Sequence, residues 1–416
     1  MPKMIQSDVH QRADLVSFRQ LKLFDSIGRL RSVRKASEEC NLSQPAVTQA
    51  LAKLEQQVCV RLVERRASGS YLNEFGEIFY KRAARFFEQV EHALIELGVP
   101  GGEEGARVIL KRISRSQTRG LIAIIEHTSF ALAAQSLALS QASLQRATRD
   151  LESNLRRSIF YRTATGIVIT QAGLEFGRKI KLATQEIAWG IRELDAAQGS
   201  SASEIVIGAM PFGGSVLLAS ALDDFISAYP QVDVHILNEN ASVMLKSLRS
   251  GDVDFVIGLL PEKAEEDLTR EAFARTPYSI VGRNRHPLLR KGKPTTDDLL
   301  AYDWVVGTVG SSRRACFDAL FENRRGPHAS IVTCAVPVVR RLLERSDRLT
   351  LMTSYELINS DDNLTAIPFD AINPVPSIGV TMRKDWLPTQ LHTDFIEIVR
   401  RRMKLPVVRP HLKQAT

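Results

Sequence analysis

A row of side chains able to hydrogen-bond to base edges lies in the stretch SQPAVTQALAKLE, which begins at Ser43. Apolar residues recur there at helical spacing and form one buried face, made of Val47, Leu51, Leu54 and Val58. The outward face carries Gln44, Thr48, Gln49 and Lys53. Amide and hydroxyl groups on such a helix read base edges in the major groove, whereas an ammonium binds phosphate. The spacing therefore predicts a helix that reads nucleic acid.

The residues before this helix predict the elements that position it. An apolar residue at every third position from Phe18 indicates an amphipathic helix over about 18–30. A short helix around Val33–Cys40 follows, and Ser43 can cap the reading helix with its hydroxyl. Pro45 fits the first turn, where its missing N–H would have no partner. Two helices, a tight turn and a third helix together predict a helix-turn-helix.

A basic hairpin is predicted directly after the reading helix. The segment RLVERRASGSYLNEFG, from Arg61, alternates apolar residues around a Ser-Gly turn, which is typical of a small β-wing. Arg65 and Arg66 in this wing can reach the phosphates or the minor groove. A long helix over about Glu74–Leu97 follows the wing.

These segments resemble the N-terminal winged helix-turn-helix of LysR-type transcriptional regulators, in the motif AVTQALAKLEQQVCVRLVERR followed by YLNEFG. The resemblance implies a linker helix and a two-lobed effector-binding domain over nearly the whole chain. It also implies base contacts at Gln44, Pro45, Thr48 and Gln49, and a contact of the wing near Arg65.

The chain departs from the family pattern at three positions of this motif. Cys59 stands where Gly is usual at a helix end, so a residue with a Cβ must accept a strained turn. Val63 replaces the usual Phe, and Ser68 stands where Arg is frequent. We therefore expect this wing to bind DNA less tightly than is usual in the family.

The reading stretch occurs twice in the chain. LSQPAVTQALAKLE begins at Leu42, and LSQASLQRATRDLE begins at Leu139, which is 97 residues later. The offset holds without a gap through many identical pairs, among them Ala36/Ala133, Ser43/Ser140, Gln44/Gln141, Leu54/Leu151, Glu55/Glu152, Arg65/Arg162, Gly69/Gly166 and Gly76/Gly173. A gap-free register over a whole domain indicates a duplicated unit.

The second copy has its own candidate DNA contacts, which are Ser140, Gln141, Ser143, Gln145, Arg146, Arg149 and Arg162. Arg146 stands opposite Gln49, and Arg is the commonest bidentate reader of guanine, although it also binds phosphate. Two interpretations stay open: this copy binds DNA, or it kept its fold only as a spacer or dimerisation block. Its basic outer face favours DNA binding, because a packing module has no need for one.

Three segments are predicted to connect the domains. GVPGGEEGARVILKRISRSQTRG, from Gly98, is Gly-rich and then basic, and we expect a hinge leading into a helix around Ile113–His127. Leu174–Ala197 has the pattern of a second long helix, which the family resemblance pairs with its twin in another subunit. QGSSAS at 198–203 predicts a flexible joint.

From Glu204 onward the pattern changes to alternating strands and helices. Predicted strands at EIVIGAM, VDVHIL and VDFVIGLL are followed by a second series at DWVVGTV, ASIVTC and LTLMT. Two α/β lobes with crossovers near Val281–Arg283 and Ala366–Pro376 resemble the periplasmic-binding-protein-like effector domain of the LysR family. The strand SIGVTMR and the helix from Pro388 to Met403 are expected to return to the first lobe.

Loops that follow these strands bear hydroxyl groups, and ligands in such sheets sit at the carboxyl ends of strands, often on helix N-termini. The candidate effector contacts are Met210, Phe212, Ser215, Thr308, Ser311, Ser312, Thr353 and Ser354. Hydroxyls and free N–H groups at a helix start favour a small anion such as a carboxylate. For any single hydroxyl, a plain N-cap is an equally good interpretation.

Charge and composition agree with this division. Residues 1–200 contain 29 Lys+Arg and 21 Asp+Glu, which gives +8, and residues 201–416 contain 26 of each. A basic half beside a neutral half is typical of a phosphate-binding region joined to a separate module. The first twenty residues have no apolar core of signal-peptide length, and no run approaches a membrane span, so we expect a cytoplasmic chain. The scattered cysteines are expected to be reduced packing residues.

We therefore predict a multidomain chain: two all-α winged helix-turn-helix domains with long linker helices, then a two-lobed α/β periplasmic-binding-protein-like effector domain. The domains are expected at 15–97, 112–197 and 203–405, the last with lobe 1 at about 203–281 and 376–405 and lobe 2 at about 282–370. The implied partners are double-stranded promoter DNA and a small-molecule effector, with RNA polymerase as a further candidate. The chain is expected to form a homodimer or homotetramer.

Other functional classes fit less well. His235, His286, His328 and His392 lie in separate segments, and no nucleophile elbow, phosphate loop or metal spacing appears, so we expect no catalytic residue, metal or cofactor. A solute-binding transport protein would share the second half but would need a signal peptide and no helix-turn-helix. A DNA-architectural protein without an effector stays open, and it would show no small-molecule response in the α/β half.

Overall fold

The computed structural model divides into two compact units, Met1–Ser203 (unit 1) and Glu204–Thr416 (unit 2). The structure describes residues 9–66, 69–127, 129–163, 166–199, 203–210, 215–260, 265–322, 325–357 and 363–404. Unit 1 is helical with two small β-hairpins, whereas unit 2 mixes helices and strands. Within the described ranges, no helix is both long and apolar enough to cross a membrane.

Unit 1 begins with the elements predicted for the first copy, preceded by one additional helix. They are α1 (Val9–Leu15), α2 (Phe18–Leu30), α3 (Val33–Glu39), α4 (Gln44–Gln57), β1 (Val63–Arg66), β2 (Gly69–Leu72) and α5 (Glu74–Leu97). The strands β1 and β2 pair antiparallel, as the hairpin prediction requires. The starts of α2 to α5 are fixed by side chains that accept a backbone N–H of the first turn: Ser17, Ser32, Ser43 and Asn73.

The same order of elements then repeats. It consists of α6 (Gly102–Leu110), α7 (Arg115–His127), α8 (Phe130–Ser136), α9 (Gln141–Leu155), β3 (Phe160–Thr163), β4 (Gly166–Ile169) and α10 (Gln171–Ala197). The helices α7, α8 and α9 repeat α2, α3 and α4, and β3 and β4 form the second antiparallel hairpin. One continuous hydrophobic core runs through both copies.

The repeated Leu-Glu of each copy attaches the hairpin to the reading helix. The Glu55 carboxylate accepts the backbone N–H groups of Leu62 and Val63 at 2.8 and 3.1 Å. In the second copy, the Glu152 carboxylate accepts the backbone N–H groups of Ile159 and Phe160 at 2.8 and 2.9 Å. Each glutamate therefore satisfies two donors at the start of a wing strand.

The turns of the two copies also have the same backbone conformation. Asn41 and Ala138, 97 residues apart, precede the reading helices with φ values of 52° and 53°. Cys59 and Arg156, also 97 apart, end those helices with φ values of 61° and 52°. The expected strained turn at Cys59 is confirmed, because a residue with a Cβ occupies the left-handed region there.

The long helices α5 and α10 pack against each other within the same chain. Arg82 near the start of α5 pairs with Glu193 near the end of α10 at 2.7 Å, and Glu96 near the end of α5 pairs with Lys179 near the start of α10. The two helices are therefore antiparallel. The expectation that this face of α10 meets its twin in a second subunit is wrong, because α5 of the same chain occupies it.

The segment between the copies contains a helix that the hinge prediction missed. In α6, Ala106 and Ile109 are buried, and Arg107 pairs with Glu91 of α5 at 2.9 Å. The glycine content of this stretch suggested a hinge, but apolar residues three apart bury one face of the helix. The additional helix α1 is held similarly, since buried Arg12 pairs with Asp195 of α10 at 2.8 Å.

Unit 2 contains two lobes. Lobe 1 has β5 (Ser203–Ala209), α11 (Ser215–Ala228), β6 (Val232–Asn238), α12 (Ala241–Ser250), β7 (Phe255–Leu259), β8 (Leu268–Arg275), β14 (Ser377–Arg383) and α17 (Gln390–Lys404). Its sheet has the order β6-β5-β7-β14-β8, with β5 and β7 parallel and β14 antiparallel to both neighbours. The predicted return of the last strand and helix to the first lobe is confirmed, since α17 packs on α11.

Lobe 2 has two small sheets. Its elements are β9 (Tyr278–Arg283), α13 (Thr296–Leu299), β10 (Val305–Val306), α14 (Ser312–Leu320), β11 (Ile331–Val332), α15 (Val336–Glu344), β12 (Thr350–Thr353), α16 (Ser354–Leu357) and β13 (Leu364–Ala366). An antiparallel sheet of order β12-β9-β13 lies beside a parallel pair, β10 and β11. A parallel bridge between Trp304 and Leu349 joins the two sheets.

The first crossover between the lobes lies earlier than the sequence suggested. Val281–Arg283 belong to β9, which already pairs with β12 and β13, so the chain crosses at 276–277. The backbone N–H of Thr276 donates to the Pro376 carbonyl at 2.9 Å, which joins the two crossover segments. The edge strand β8 was missed because half of its residues, LTREAFAR, are polar and its apolar residues do not alternate with them.

The structure predicts that Glu55 contributes substantially to the stability of the first copy. Glu55→Ala removes a carboxylate that accepts two backbone N–H groups, so we expect a loss of about 2–3 kcal/mol in the free energy of unfolding. Urea denaturation of the full chain, followed by circular dichroism, measures this loss. Glu88→Ala, at an exposed site on α5, is the matched control, and equal stability of the two variants would contradict the role given to Glu55.

Candidate nucleic-acid interface and effector site

The outward face of α4 is formed by the residues that the sequence predicted. Gln44, Pro45, Thr48, Gln49 and Lys53 are all exposed. The buried face of the same helix, at Val47, Leu51 and Leu54, packs into the core and fixes the orientation of the outward one. Ser43 is also exposed, but its hydroxyl accepts the N–H of Ala46 at 3.4 Å and so caps the helix. The remaining side chains are available to a ligand.

The helix α9 presents an equivalent but more basic face. Gln141, Arg146 and Arg149 are exposed, whereas Gln145 is half-buried. Neither arginine forms an ion pair with any residue that the structure describes. Two guanidinium groups without carboxylate partners on one helix face provide a strong attraction for phosphate or guanine. Ser140 and Ser143 bond to each other at 2.8 Å at the helix start, which gives them a capping role.

The wings are described only in part. Arg66 is exposed, pairs with Glu64 and places its guanidinium carbon 5.5 Å from the centroid of the Tyr71 ring. These contacts orient Arg66 but also partly neutralise it. Ser68 and the side chains of Arg65 and Arg162 lie outside the described residues. The structure therefore leaves the wing contacts as predictions.

In unit 2, a cluster of small polar groups lies at the start of α14. The Ser311 hydroxyl donates to the Thr308 carbonyl at 2.7 Å and accepts the N–H of Arg314 at 3.2 Å, so it is the N-cap of α14. The hydroxyl and the backbone N–H of Thr308 lie 3.4 and 3.5 Å from the Cys334 sulfur. Burial on its own raises the pKa of the Cys334 thiol, but hydrogen bonds from Thr308 and the charge of Arg313 outweigh it and lower that pKa.

A buried arginine lies next to this cluster. Arg313, the second residue of α14, forms an ion pair with Glu356, and both side chains are buried. The second Glu356 oxygen accepts the backbone N–H of Thr353 at 2.7 Å. The Nε and Nη1 atoms of Arg313 have no hydrogen-bond partner within the described part of the chain. A buried cation with two unused donors favours an anionic ligand.

Two further candidate hydroxyls lie at the first crossover between the lobes. Ser312 lies 2.9 Å from the Tyr278 hydroxyl, and Ser354 lies 3.2 Å from the Thr276 hydroxyl. Burial raises the pKa of Tyr278, so its hydroxyl stays protonated over the physiological range. These contacts bring Ser312 and Ser354 to the segment that connects the two lobes.

The other candidate effector residues are not placed in this cluster. Thr353 is buried, and its hydroxyl accepts the N–H of Glu356 at 3.4 Å, so it serves as a cap. Met210 lies in lobe 1, where it packs in the core beside Gly258. Phe212 and the Ser215 side chain lie outside the described residues. The structure thus brings together Thr308, Ser311 and Ser312 and adds Arg313 and Cys334.

The described residues contain no group of three or more His, Cys, Asp or Glu side chains that would hold a metal ion. All four cysteines are free thiols: Cys40, Cys59, Cys316 and Cys334.

Comparison with known protein families decides what these two units are. The family model described as "Bacterial regulatory helix-turn-helix protein, lysR family" matches the chain twice, at residues 18–77 and 116–174. The model described as "LysR substrate binding domain" matches residues 198–404. The chain belongs to the LysR family. It is a LysR-type DNA-binding transcriptional regulator with an effector-binding domain, and this family consists of regulators rather than enzymes.

Individual relatives agree with this assignment. The LysR-type chain is 29% identical to the HTH-type transcriptional regulator GalR of Pseudomonas putida over 396 residues, which is 93% of this chain and 97% of that protein. It is 26% identical to the regulator GbpR of Azospirillum brasilense over 64% of this chain and 79% of that protein. A solved structure of full-length OxyR from Pseudomonas aeruginosa has a similar fold, with a TM-score of 0.51 and 19% identity over 72% of this chain and 98% of OxyR.

Two residues of this LysR-type effector domain could not be selected from the sequence. Arg313 sits in the run SSRR, which looks like an ordinary polar helix start, and its partner Glu356 lies 43 residues later. Cys334 is one of four scattered cysteines, and only the fold brings it to Thr308. The one available signal was spacing, because Arg313 lies three and four residues before the buried Cys316 and Phe317 and so falls on the apolar face of α14.

The geometry predicts that the pKa of the Cys334 thiol lies below the ordinary value of a cysteine. Its alkylation by iodoacetamide should therefore rise at a lower pH than that of cysteine in an unfolded peptide, because the thiolate is the reactive form. Thr308→Val removes the donor hydroxyl and should move the midpoint for Cys334 to higher pH, while Thr393→Val, at an exposed site, should not. Mass spectrometry of the alkylated Cys334 peptide gives the midpoint in the wild type and in each variant, and an unchanged midpoint in Thr308→Val would contradict the assignment.

Proposed function

We propose that both reading helices of this regulator bind promoter DNA sequence-specifically, and that a small anion bound at the start of α14 controls that binding. In this proposal, residues 15–97 and 112–197 are two winged helix-turn-helix domains with linker helices, and 203–405 is the effector domain with its two lobes. The exposed polar face on each reading helix is the observation that carries the proposal.

DNA binding by the first reading helix is supported by the side chains on the outward face of α4. Gln44 and Gln49 each carry an amide that can bond to an adenine edge, and Thr48 lies between them on the same face. Pro45 is exposed at the helix start and can contact a thymine methyl group. Lys53 lies further along the helix, where an ammonium can bind phosphate.

DNA binding by the second reading helix, α9, is supported by its exposed arginines. Arg146 occupies the position of Gln49 and can form a bidentate pair with guanine, and Arg149 extends the basic face by about one turn. A copy kept only as a spacer would not need two exposed guanidinium groups that pair with no carboxylate among the described residues. Gln141 supplies an amide at the helix start, as Gln44 does in the first reader. The wing arginines Arg65 and Arg162 are proposed as phosphate contacts of the two copies.

The effector proposal depends on Arg313. Arg313 directly follows Ser311 and Ser312 in the chain, two of its donors are unused within the described residues, and its charge acts on the Cys334 thiol that contacts Thr308. A carboxylate bound at these groups would gain charge-assisted hydrogen bonds. Such an anion would leave the ion pair with Glu356 intact, because that pair uses only Nη2. RNA polymerase and a homodimer or homotetramer remain candidate partners, and any association between chains would use surfaces other than the paired faces of α5 and α10.

Paired substitutions in the two reading helices test the DNA proposal. Gln44→Ala/Thr48→Ala and Gln141→Ala/Arg146→Ala should each weaken binding to the promoter roughly 10- to 100-fold, because each pair loses one or two base contacts. Each pair should also erase a different part of the DNase footprint. The second pair should reduce the salt dependence of binding as well, if Arg146 also neutralises a phosphate.

Lys384→Ala, which removes an exposed charge from unit 2, is the control and should leave the footprint unchanged. If the second pair also leaves the footprint and the salt dependence unchanged, α9 is scaffold and Arg146 is ordinary surface charge. If neither pair changes binding, α4 and α9 are not the reading elements.

A charge-matched double variant tests the effector site. Arg313→Met/Glu356→Gln removes both buried charges together, so neither is left unpaired, and the amide oxygen can still accept from Thr353. Acetate, succinate and benzoate are the probes, with chloride at equal ionic strength as the control. We expect at least one carboxylate to raise the melting temperature of the full chain, and its affinity to fall at least tenfold in the double variant.

Circular dichroism should confirm that the double variant keeps the fold before its affinity is interpreted. A carboxylate that stabilises the wild type and the double variant equally would place the anion elsewhere. The absence of stabilisation by all three probes would contradict the carboxylate class.

A further inference from the structure

The contact between α5 and α10 has an internal two-fold pattern. Residues 97 apart are equivalent positions of the two copies, so Arg82 corresponds to Lys179 and Glu96 to Glu193. Arg82 bonds to Glu193 at one end of the contact, and Lys179 bonds to Glu96 at the other. Exchanging the two copies therefore converts one ion pair into the other. This reciprocity is the signature of an isologous interface, here between two halves of one chain.

The centre of the pattern is also defined by residues. Gln89 of α5 donates to Glu186 of α10 at 3.0 Å, and these two positions are again 97 apart. A residue can contact its own equivalent only where a two-fold axis passes. The pseudo-two-fold axis of unit 1 therefore passes between Gln89 and Glu186.

The charges at this centre favour pairing of α5 with α10 over pairing of identical helices. Glu186 is 1% exposed and accepts from Arg82 at 2.8 Å and Arg85 at 3.2 Å, as well as from Gln89. Two α10 helices around the same axis would bring two buried Glu186 carboxylates together. Two α5 helices would leave Arg82 and Arg85 without that carboxylate. The first alternative buries two carboxylates against each other. The second removes the carboxylate that Arg85 and one nitrogen of Arg82 contact, although Arg82 would still meet Glu96, the equivalent of Glu193. Both alternatives therefore compensate buried charge less well than the pairing of α5 with α10, and an uncompensated buried charge costs several kcal/mol.

The two reading helices related by this axis, α4 and α9, differ in the residues that face outward. Gln49 corresponds to Arg146, and Lys53 corresponds to Asp150. At the first of these pairs an amide favours adenine, whereas a guanidinium favours guanine. The framework is thus two-fold related while the two reading surfaces are not.

We propose that a single chain is a complete DNA-reading unit that binds one operator with two unlike half-sites in inverted orientation. This inference rests on the proposed function of both reading helices. An inverted arrangement follows because a protein two-fold axis matches a two-fold axis of the duplex. The half-sites differ because Gln49 reads adenine in one and Arg146 reads guanine at the equivalent place in the other.

Selection of bound sequences from a random duplex library by the full chain tests the operator. We expect an imperfect inverted repeat whose halves differ at one matched position, with adenine in one half and guanine in the other. Arg146→Gln should change guanine to adenine in that half alone, with a preference shift of roughly tenfold, and Gln49→Arg should produce the reverse change in the other half. A perfect palindrome or a direct repeat would overturn the inference but leave DNA binding standing, whereas no enriched sequence would overturn the proposed function itself.

Complementation tests whether one chain supplies both readers. Chains carrying Gln44→Ala/Thr48→Ala are co-expressed with chains carrying Gln141→Ala/Arg146→Ala, and the mixture is footprinted on the selected operator. If α5 and α10 pair within a chain, no unit has two intact readers and the complete footprint is not restored. If the helices pair between chains, units with two intact readers form and the footprint returns, which would overturn the inference. Wild type co-expressed with either variant is the positive control.

Discussion

The buried ion pairs of Arg82 with Glu186 and Glu193 are the contact on which the arrangement of unit 1 depends. Burial on its own lowers the pKa of Arg82, but hydrogen bonds and charges from Glu193 and Glu186 raise it by more, so the guanidinium stays charged. Removing one partner of such a pair typically costs about 3–5 kcal/mol, because the other charge is left in the core. The pairs join residues more than 100 positions apart, and so they link one copy of the duplicated domain to the other.

The duplication preserved the residues that the backbone requires and relaxed those that face outward. A Cβ on Gly76 would lie 2.1 Å from the Leu62 carbonyl oxygen, and one on Gly173 would lie 2.6 Å from that of Ile159, so no other residue fits at either place. Glu55 and Glu152 are also identical in the two copies, because each carboxylate accepts two backbone N–H groups of its wing. Outward positions of α4 and α9 have no such constraint, since they contact little of the protein itself. Their divergence is therefore free to change what each helix binds.

Local patterns predicted most of the elements, and the reason is physical. Helix starts such as Ser43 and Ser140 are fixed by a capping bond three residues away, and apolar spacing marks the buried face. The bounds of α2, α5 and α10 were consequently predicted to within a few residues. The start of α6 is glycine-rich and the strand β8 lacks alternation of apolar and polar residues, so local patterns did not predict either element. Tertiary packing decided those segments.

Contacts between distant residues were beyond sequence reasoning. The pairing of α5 with α10 needs Gln89 to meet Glu186, and nothing local distinguishes that partner from the same residue in another chain. The effector site could not be predicted for the same reason. Arg313 is a candidate only because the fold buries it beside Glu356 and leaves two of its donors without a partner among the described residues. Hydroxyls in loops were found by their position after strands, but two of them, Ser311 and Thr353, proved to be caps. A titratable residue with an unsatisfied buried donor is a signal that only a structure supplies.

Two different reading helices related by a pseudo-two-fold axis would give the bound protein a direction along the duplex, which a symmetric dimer lacks. A symmetric protein on a palindrome presents the same surface toward both directions along the duplex, so its binding carries no polarity. In the proposed complex, Gln49 faces one half-site and Arg146 the other, so only one orientation would satisfy both base contacts. The reversed complex would lose about 1–3 kcal/mol for each mismatched pair. A regulator built in this way would fix its own direction on the promoter without help from a second protein. An effector could then change occupancy through its differential affinity for two states without changing that direction.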